Sequence, residues 1–545
     1  MSTGPADFEY EGARGVTFHS VRSWGGAAVR GMGMTDPVAS TVGPPMGSPV
    51  TPDRTPNVVI VVLDTARADF VARVPLEGSG FEGVRTLKRE SLQFPRAISP
   101  STWTYPSHAS LFTGRYPWEN HALLTELAPL SPEIPHLARL LRNGGFRTMA
   151  LSSNPVVSSW TGLTAPFETA RWSQWWHLFL RIAAWAGPTG PNVGDPTRAS
   201  PKRALPSDLF VIAKRLLLRH PGAASLVSTL ISRATGASSL QRDSVDSWIE
   251  SALRSDIVST PRETPIFAFV NLMEAHEPYL PSHRVDDEEG RSARLCRQDR
   301  EAFLADRWTI TPREIRSLRA FYRDGIRTSL LRVSTIVQTL MDAGRWNNTI
   351  VVLTGDHGQE FCEEGGLFHG TYPGDAQVCV PLWLRVPDGT LSGGVARGAA
   401  SLIDVLPTVL NMVGSSPPTR CTGRDLRSLA DKTRPDPVFS HSEQLPDDDG
   451  FRMRYGSQWI GLNRFWVAAR TEDRGIVLDT HRGITFRAGR GRPPAAPGRR
   501  PDSMPSDEAD DLRGTLKPVD QAIRRILNES LPDSTEERLR SWGYF

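Results

Sequence analysis

The stretch PNVVIVVLDTARAD, residues 56–69, decides the fold class of this 545-residue chain. Its apolar run from Val58 to Leu63 is unbroken, which is typical of a parallel strand buried on both faces. Further strand patterns lie at residues 147–154, 264–273, 348–356 and 380–387, and they alternate with helical patterns at 134–146, 321–346 and 401–414. This alternation predicts an α/β layered fold with a mostly parallel sheet.

The composition excludes several classes of partner and location. The 63 basic and 60 acidic residues leave a net charge of +3, which is too mild for a nucleic-acid partner. The four cysteines form no CxxC pair, so neither a zinc ribbon nor a disulfide framework is predicted. No apolar run reaches the roughly 18 residues of a membrane span, and the N-terminal residues do not resemble a signal peptide. We therefore predict a cytoplasmic protein.

Three regions are predicted along the chain. Residues 1–55 are rich in Gly, Pro and Ser without periodicity, so we expect them to be disordered. Residues 56–415 form the predicted catalytic domain. Residues 416–545 form a C-terminal subdomain, in which RFWVAART (464–471) and RGIVLDT (474–480) are candidate antiparallel strands and about 488–513 is a disordered loop.

An insertion is predicted within the catalytic domain, at about residues 160–262. Its segment RWSQWWHLFLRIAAWAG (171–187) places apolar side chains on one face of a helix: Trp172, Trp175, Trp176, Phe179, Ile182 and Ala183. We favour a lid that packs on the core. The alternative is a helix at a membrane surface, for which the basic segment 201–220 would provide attraction to lipid head groups.

Acidic residues and a histidine follow two of the predicted strands. Asp64 ends the first strand, and Asp356 and His357 end the strand at 348–356. Each alone fits a loop carboxylate or a helix cap. Because ligands of open α/β sheets bind beyond the carboxyl ends of the strands, the three together predict a divalent-metal site.

A helix is predicted to begin at Thr104, in TYPSHASLFTG (104–114). Pro106 suits the first turn and Gly114 a helix end. A hydroxyl at this helix start lies near unpaired backbone N–H groups, which attract anions, and a neighbouring metal ion would make it a nucleophile. The alternative is that Thr104 only caps the helix.

These segments, in this order, resemble the sulfatase branch of the alkaline phosphatase superfamily from about Pro56 to Leu426. The matching stretches include TYPSHASLFTGRYP (104–117), FVNLMEAHEPYLP (269–281) and NNTIVVLTGDHGQEF (347–361). The resemblance implies a three-layer α/β/α sandwich with a mostly parallel central sheet. It also implies one divalent metal ion, with Thr104 as the nucleophile. The implied metal ligands are Asp64, Thr104, Asp356 and His357.

The resemblance implies further catalytic residues. Arg115 matches an arginine that supports the nucleophile loop, and His276 matches a histidine that contacts the transferred group. His369 lies where the family has a lysine or histidine for the same oxyanion. His108 replaces the family's first arginine, and we expect it to donate a proton or to contact phosphate.

Two departures from the family pattern affect the expected chemistry. Thr104 stands where sulfatases have the Cys or Ser that becomes formylglycine, and its β-methyl group prevents formation of that aldehyde. The expected intermediate is therefore an ordinary threonine ester. Thr65 stands where calcium sulfatases usually have a second aspartate, so Zn²⁺ or Mn²⁺ fits this ligand set better than Ca²⁺ does.

The sequence thus predicts a metal-dependent hydrolase that cleaves a small-molecule phosphate monoester or diester, and sulfate esters less well, through Thr104. The alternatives are a transferase of a phosphate-containing head group at a membrane surface, a true sulfuric ester hydrolase, and a binding protein on a decayed scaffold. Membrane contact is not favoured, and the oligomeric state is left open.

Overall fold

The computed structural model describes residues 55–123, 128–172, 247–277, 279, 310–363, 367–370, 373–430, 437–443, 465–470, 475–479, 484–488 and 521. Three sequence predictions lie outside these ranges. They are the disorder of residues 1–54, the disordered loop at 489–513 and the Trp-rich helix from residue 173 onward, including Trp175 and Trp176.

Sixteen strands lie within the described residues, and seven of them form the main sheet in the order β2-β11-β7-β1-β6-β4-β5. All of its strands run parallel except β11, which is antiparallel to both of its neighbours. The strands are β1 (Asn57–Leu63), β2 (Ser91–Gln93), β3 (Ala97–Ile98), β4 (Arg147–Ser152), β5 (Thr169–Trp172), β6 (Ile266–Leu272), β7 (Thr349–Gly355), β8 (Glu360–Phe361), β9 (Leu367–Phe368), β10 (Cys379–Val380), β11 (Leu382–Arg385), β12 (Ala400–Ser401), β13 (Val438–Glu443), β14 (Phe465–Arg470), β15 (Gly475–Asp479) and β16 (Ile484–Ala488).

Helices cover both faces of this sheet. The α-helices of the described residues are α1 (Ala68–Arg73), α2 (Glu82–Arg89), α3 (Thr104–Thr113), α4 (Pro117–Asn120), α5 (Leu137–Asn143), α6 (Ser247–Ser259), α7 (Pro312–Asp342), α8 (Asp375–Val378) and α9 (Val405–Met412). Short 3₁₀ turns lie at Trp346–Asn348, Leu402–Asp404 and Leu426–Leu429.

The two faces of β1 contribute to two separate hydrophobic cores. Val58, Ile60 and Val62 pack in one core with residues of α3, α5 and α9. Val59, Val61 and Leu63 pack in the other core with residues of α1, α2, α6 and α7. Both sets are buried, which explains why the strand is apolar without alternation. The predicted α/β/α sandwich is confirmed.

Part of the predicted insertion belongs to this sandwich. Strand β5 pairs with β4 at the edge of the main sheet, and α6 packs against the sheet through Ile249 and Leu253. Trp172 ends β5, opposite Ser152, and does not begin the predicted helical face. Its pairing with β4 overrides the helical spacing of the tryptophans that follow it in the sequence.

The C-terminal strands form a sheet of their own. Strands β13, β14, β15 and β16 are joined in sequence order by antiparallel pairing, as the two strand patterns in this region predict. Strand β13 also contacts the loop that precedes α3, where the Ser101 backbone bridges that of His441.

Among the described helices, none combines the length and the apolar character that crossing a membrane requires.

Candidate active site

The register of the main sheet brings the two acidic strand ends together. Leu63 of β1 lies opposite Gly355 of β7, so Asp64 and Asp356 leave the sheet side by side. On its other side Leu63 lies opposite Leu272 of β6, which leads into the turn that carries His276. The site therefore lies at the carboxyl edge of the sheet, where open α/β sheets bind ligands.

Asp64 is fully buried, and only one of its two oxygens has hydrogen-bond donors. Its Oδ2 accepts from the side-chain amides of Asn154 at 2.8 Å and Asn271 at 3.1 Å, while its Oδ1 has no hydrogen-bond partner. Burial, and next the Asp356 carboxylate, raise the pKa of Asp64 above its usual range. A neighbouring cation would stabilise the charged form of this buried carboxylate.

Asp356 repeats this arrangement. Its Oδ1 accepts from the backbone N–H groups of Thr65 at 2.9 Å and His357 at 2.8 Å. Its Oδ2 is buried without a hydrogen bond, and it lies 3.7 Å from the His108 Nδ1 and 3.4 Å from the His357 Nε2. Each of the two aspartates is thus oriented by hydrogen bonds to one oxygen, and its other oxygen is available to bind a cation.

His357 completes a set of three potential ligands. Its Nδ1 donates to the Gly358 carbonyl at 3.0 Å, which leaves Nε2 as the ligating nitrogen. Ligand atoms of Asp64, Asp356 and His357 lie within 4.8 Å of one another. Two carboxylate oxygens without donors and one imidazole nitrogen fit a divalent cation, so the residues present agree with the implied metal site.

Thr104 is brought to the same place by α3. It is the first residue of the helix, whereas Trp103 occupies the N-cap position without a side-chain capping bond. The Thr104 Oγ1 lies 3.2 Å from the His357 Nε2. The hydroxyl is therefore directed at the metal set, by which we mean the three potential ligands Asp64, Asp356 and His357. The Ser107 hydroxyl donates to the Asp356 carbonyl at 2.6 Å and ties the helix to the end of β7.

The loop before Thr104 is held by strand β13. The His441 N–H donates to the Pro100 carbonyl at 2.9 Å, and the Thr102 N–H donates to the His441 carbonyl at 3.3 Å. The Trp103 indole donates to the Glu443 carbonyl at 3.2 Å. These contacts join the loop before Thr104 to a strand more than 300 positions later in the chain.

His108 lies one helical turn after Thr104 and is fully buried. Its Nδ1 donates to the Thr104 carbonyl at 2.9 Å, and its ring packs edge-on against Phe269 at 5.8 Å between centroids. Its Nε2 is buried without a hydrogen-bond partner. The structure therefore places His108 beside Asp356 and beneath the start of the helix.

Arg115 is not brought into the site by any described contact. It follows Gly114 at the far end of α3, and ten helical residues at about 1.5 Å each separate the ends by about 15 Å. Its carbonyl accepts from the Asn120 side chain, and its guanidinium acts electrostatically on Cys421.

His276 and His369 both lie beside the metal set. Their ring centroids are 5.1 Å apart, and the His369 ring is 4.7 Å from that of His357. Burial lowers the pKa of His276, but the Glu277 and Asp64 carboxylates outweigh it and raise the pKa overall. Asp64, Thr104, His276, His357 and His369 thus lie together at the carboxyl edge of the main sheet.

Several residues of the site were missed by the sequence analysis. Asn154 and Asn271 orient Asp64, although each was read only as part of a strand pattern. Thr65, which the sequence analysis considered only as the replacement of an aspartate, has a φ of 58°, a left-handed conformation that is strained for a β-branched residue. Its hydroxyl donates to the Ala275 carbonyl at 2.8 Å, so Thr65 contributes its backbone N–H to the site and not a ligand. The polar Asn271 in a buried strand was the available signal.

Comparison with known proteins agrees with this geometry. A model of the Sulfatase family matches residues 56–415, about two thirds of the chain. The chain belongs to the sulfatase family. Members of this family use a divalent metal ion, and this sulfatase-family protein is a hydrolase that acts on sulfuric or phosphoric esters.

Individual relatives are distant. The multifunctional alkaline phosphatase superfamily protein PehA of Trinickia caryophylli is 20% identical over 70% of this chain and 78% of its own. Human arylsulfatase K is 22% identical over 70% of this chain and 67% of its own. The phosphonate monoester hydrolase of Agrobacterium radiobacter shares the fold, with a TM-score of 0.55, 18% identity, and coverage of 86% of this chain and 95% of its own.

Proposed function

We propose that this protein hydrolyses a phosphate monoester or diester, and sulfate esters more slowly, through a covalent ester on Thr104. The observation that carries the proposal is the position of the Thr104 hydroxyl. Its Oγ1 lies 3.2 Å from the His357 Nε2, beside two buried carboxylates that each offer an oxygen without a hydrogen-bond donor. A hydroxyl in this position is suited to nucleophilic attack and not to helix capping.

We propose one divalent cation, held by Asp64, Thr104, Asp356 and His357. Zn²⁺ or Mn²⁺ suits this set better than Ca²⁺, which prefers six to eight oxygen ligands. The Thr65 hydroxyl donates to the Ala275 carbonyl and does not serve as a ligand. The proposed site therefore has only two carboxylate ligands, which supports this choice. When bound, the cation would lower the pKa of the Thr104 hydroxyl and neutralise negative charge on the transferred group.

The residues of the chain would perform two displacements. Thr104, after losing its proton to solvent, forms the bond to phosphorus while the bond from phosphorus to the leaving oxygen breaks. That oxygen takes a proton from the imidazolium of His276 or His369. In the second step the neutral imidazole takes a proton from water, the resulting hydroxide attacks phosphorus, and Thr104 leaves. The products are an alcohol and phosphate from a monoester, or an alcohol and a phosphate monoester from a diester.

Phosphate is the proposed substrate group because charge and chemistry both favour it. A phosphoryl group carries more negative charge than a sulfuryl group and suits a cation flanked by two histidines. A sulfated threonine also lacks the route by which a formylglycine hydrate expels sulfate. A phosphonate monoester hydrolase, by its name an enzyme that acts on a phosphorus-containing ester, shares the fold of this chain, which supports this choice. The cytoplasmic location stays a prediction.

The test is kcat/KM on matched aryl phosphate and aryl sulfate substrates, with wild-type protein and two variants. We expect phosphate to be preferred, and Thr104→Ala to lose about 10³-fold or more in turnover. Thr104→Ser should retain a measurable part, because the hydroxyl remains. An added acceptor alcohol separates hydrolysis from transfer, since a transferase would form the alcohol's phosphate ester.

The matched control is Thr113→Ser at the other end of the same buried helix, which should leave activity unchanged. A clear preference for sulfate, together with an active Thr104→Ala variant, would contradict the proposal. In that case a metal-activated water, and not Thr104, would be the nucleophile.

A further inference from the structure

The segment that carries His369 is held in an unusual backbone conformation. Phe368, directly before it, has a φ of 69°, although bulky residues avoid this region. Gly370, directly after it, has a φ of 75°, and a Cβ there would lie 2.4 Å from the Trp103 ring. Phe368 is only 2% exposed. Strain of this kind persists where surrounding contacts fix a side chain for a function.

A side-chain network fixes the ring of His369 from one side. Gln359 is fully buried, and its Nε2 donates to the Glu277 Oε2 at 2.8 Å and to the Tyr279 hydroxyl at 2.7 Å. Its Oε1 accepts from the His369 Nδ1 at 3.1 Å. Glu277 therefore reaches His369 through Gln359, and its Oε1 also lies 3.4 Å from the same Nδ1.

The charge on Glu277 determines the direction of every bond in this network. A carboxylate only accepts, so the amide of Gln359 must present its nitrogen to Glu277 and its oxygen to His369. The His369 Nδ1 must then carry a proton. In His276 the Nδ1 donates to the Glu277 carbonyl at 2.5 Å, so both rings have the same tautomer. Nε2 is the atom through which each ring can act on a substrate.

The same cluster also resembles a metal site, because ligand atoms of His276, Glu277 and His369 lie within 4.8 Å of one another. The hydrogen bonds argue against that use. Glu277 lies on the Nδ1 side of both rings, since its Oε1 is 3.4 Å from the His369 Nδ1 and its Oε2 is 3.7 Å from the His276 Nδ1. A metal ion bound to Glu277 and both rings would therefore need the Nδ1 atoms, and both of these already donate hydrogen bonds. A carboxylate behind an imidazole is the usual way to orient the ring toward its reaction partner.

We propose that Glu277, acting through Gln359, is a positioning residue that keeps a proton on the Nδ1 of His369 and directs its Nε2 to the leaving group. The inference rests on the proposed hydrolysis and adds two residues to it. In the first displacement the Nε2 proton passes to the leaving oxygen. The orientation of Gln359 decides whether His369 is held with its Nε2 toward that oxygen.

The decisive variants are Glu277→Gln and the exchanged pair Glu277→Gln with Gln359→Glu. In the single variant an amide can face the amide of Gln359, which removes the requirement that Gln359 present its oxygen to His369. In the exchanged pair a carboxylate at position 359 accepts directly from the His369 Nδ1 and restores the original tautomer. The total charge of the pair equals that of the wild type.

The assay compares phenyl phosphate, which has a poor leaving group, with 4-nitrophenyl phosphate, which has a good one. Loss of a general acid should cost about 10²-fold in kcat/KM on phenyl phosphate and much less on the nitrophenyl ester. The exchanged pair should recover at least about tenfold of that loss. Nitrogen NMR of His369 should show a protonated Nδ1 in the wild type and the exchanged pair, and a changed tautomer in the single variant.

Glu250→Gln is the matched control, because Glu250 is also a half-buried carboxylate in an ion pair, with Arg332. It should change neither the ratio of the two substrates nor the tautomer. Equal losses on both substrates without recovery in the exchanged pair would overturn the inference. A fall from two bound metal ions to one in Glu277→Gln would also overturn it, since Glu277 would then be a ligand. Thr104→Ala, measured in parallel, tests the hydrolysis itself independently of these outcomes.

Discussion

Because His136 is buried and neutral, we expect the protein to lose stability in acid. One substitution at this position should remove that loss. It caps helix α5, where its Nδ1 accepts from the Ala138 N–H at 3.1 Å, while its Nε2 donates to the Leu163 carbonyl at 3.0 Å. The ring stacks on Phe112 at 4.6 Å. Protonation would place a hydrogen on the Nδ1 that faces the Ala138 donor. Burial chiefly lowers the pKa of His136, to about 3.

The sign and the size follow from this pKa. In the unfolded chain His136 has an ordinary pKa near 6.5, so below that pH the unfolded state binds a proton that the folded state does not. Stability contributed by the neutral ring is fully present above pH 6.5 and is lost as the pH falls toward 3. Each pH unit below 6.5 lowers the free energy of unfolding by about 1.4 kcal/mol. At pH 4.5 the loss is therefore about 3 kcal/mol.

The assay is urea unfolding at pH 7.5 and pH 4.5, with wild-type protein and with His136→Asn. Asparagine also caps helices but does not titrate. Between pH 7.5 and pH 4.5 the variant should therefore lose about 3 kcal/mol less free energy of unfolding than the wild type does. His121→Asn, at an exposed position, should behave as the wild type does. An identical pH dependence for wild type and His136→Asn would refute the reasoning.

Four further outcomes are expected. Asp356→Ala should abolish binding of Zn²⁺ or Mn²⁺, measured by elemental analysis; wild-type protein that holds no metal under any loading condition would contradict the ligand assignment. Asn154→Leu leaves the Asp64 Oδ2 with one donor and should weaken metal affinity by about 10- to 100-fold in a competition titration, an expectation that an unchanged affinity would refute. Gly370→Ala should lower both the melting temperature and kcat, because its Cβ would collide with the Trp103 ring; unchanged values would show that the loop relaxes easily. From the sequence, Trp175 and Trp176 are expected to belong to a lid, so liposome flotation should show no binding; strong binding that is lost when both become Ser would reverse this ranking.

The parts of the site that the sequence predicts are those tied to local pattern. Asp64 and Asp356 follow apolar strands, and the carboxyl ends of parallel strands meet at one edge of the sheet. Thr104 and Gly114 mark the two ends of α3 because a helix start and a left-handed glycine are local features. These residues could be placed without knowledge of the strand order.

The parts that were missed depend on which elements are neighbours. Asn154 and Asn271 orient Asp64 only because β4, β6 and β1 lie side by side in the sheet, which the residues between them do not encode. Gln359 and Glu277 meet across 82 positions of sequence. The role of Arg115 rests on the family resemblance alone, because no described contact joins its side chain to Thr104.

Strand β13 binds the loop before Thr104, and we expect this contact to form late during synthesis. Pro100 and Thr102 are bonded to His441, which leaves the ribosome long after the main sheet is complete. A nascent chain that ends before residue 437 already contains every proposed metal ligand, but its loop before Thr104 has no partner strand. Activity should therefore arise late, with the C-terminal sheet, and a chain truncated before β13 should fold its sandwich without becoming an enzyme.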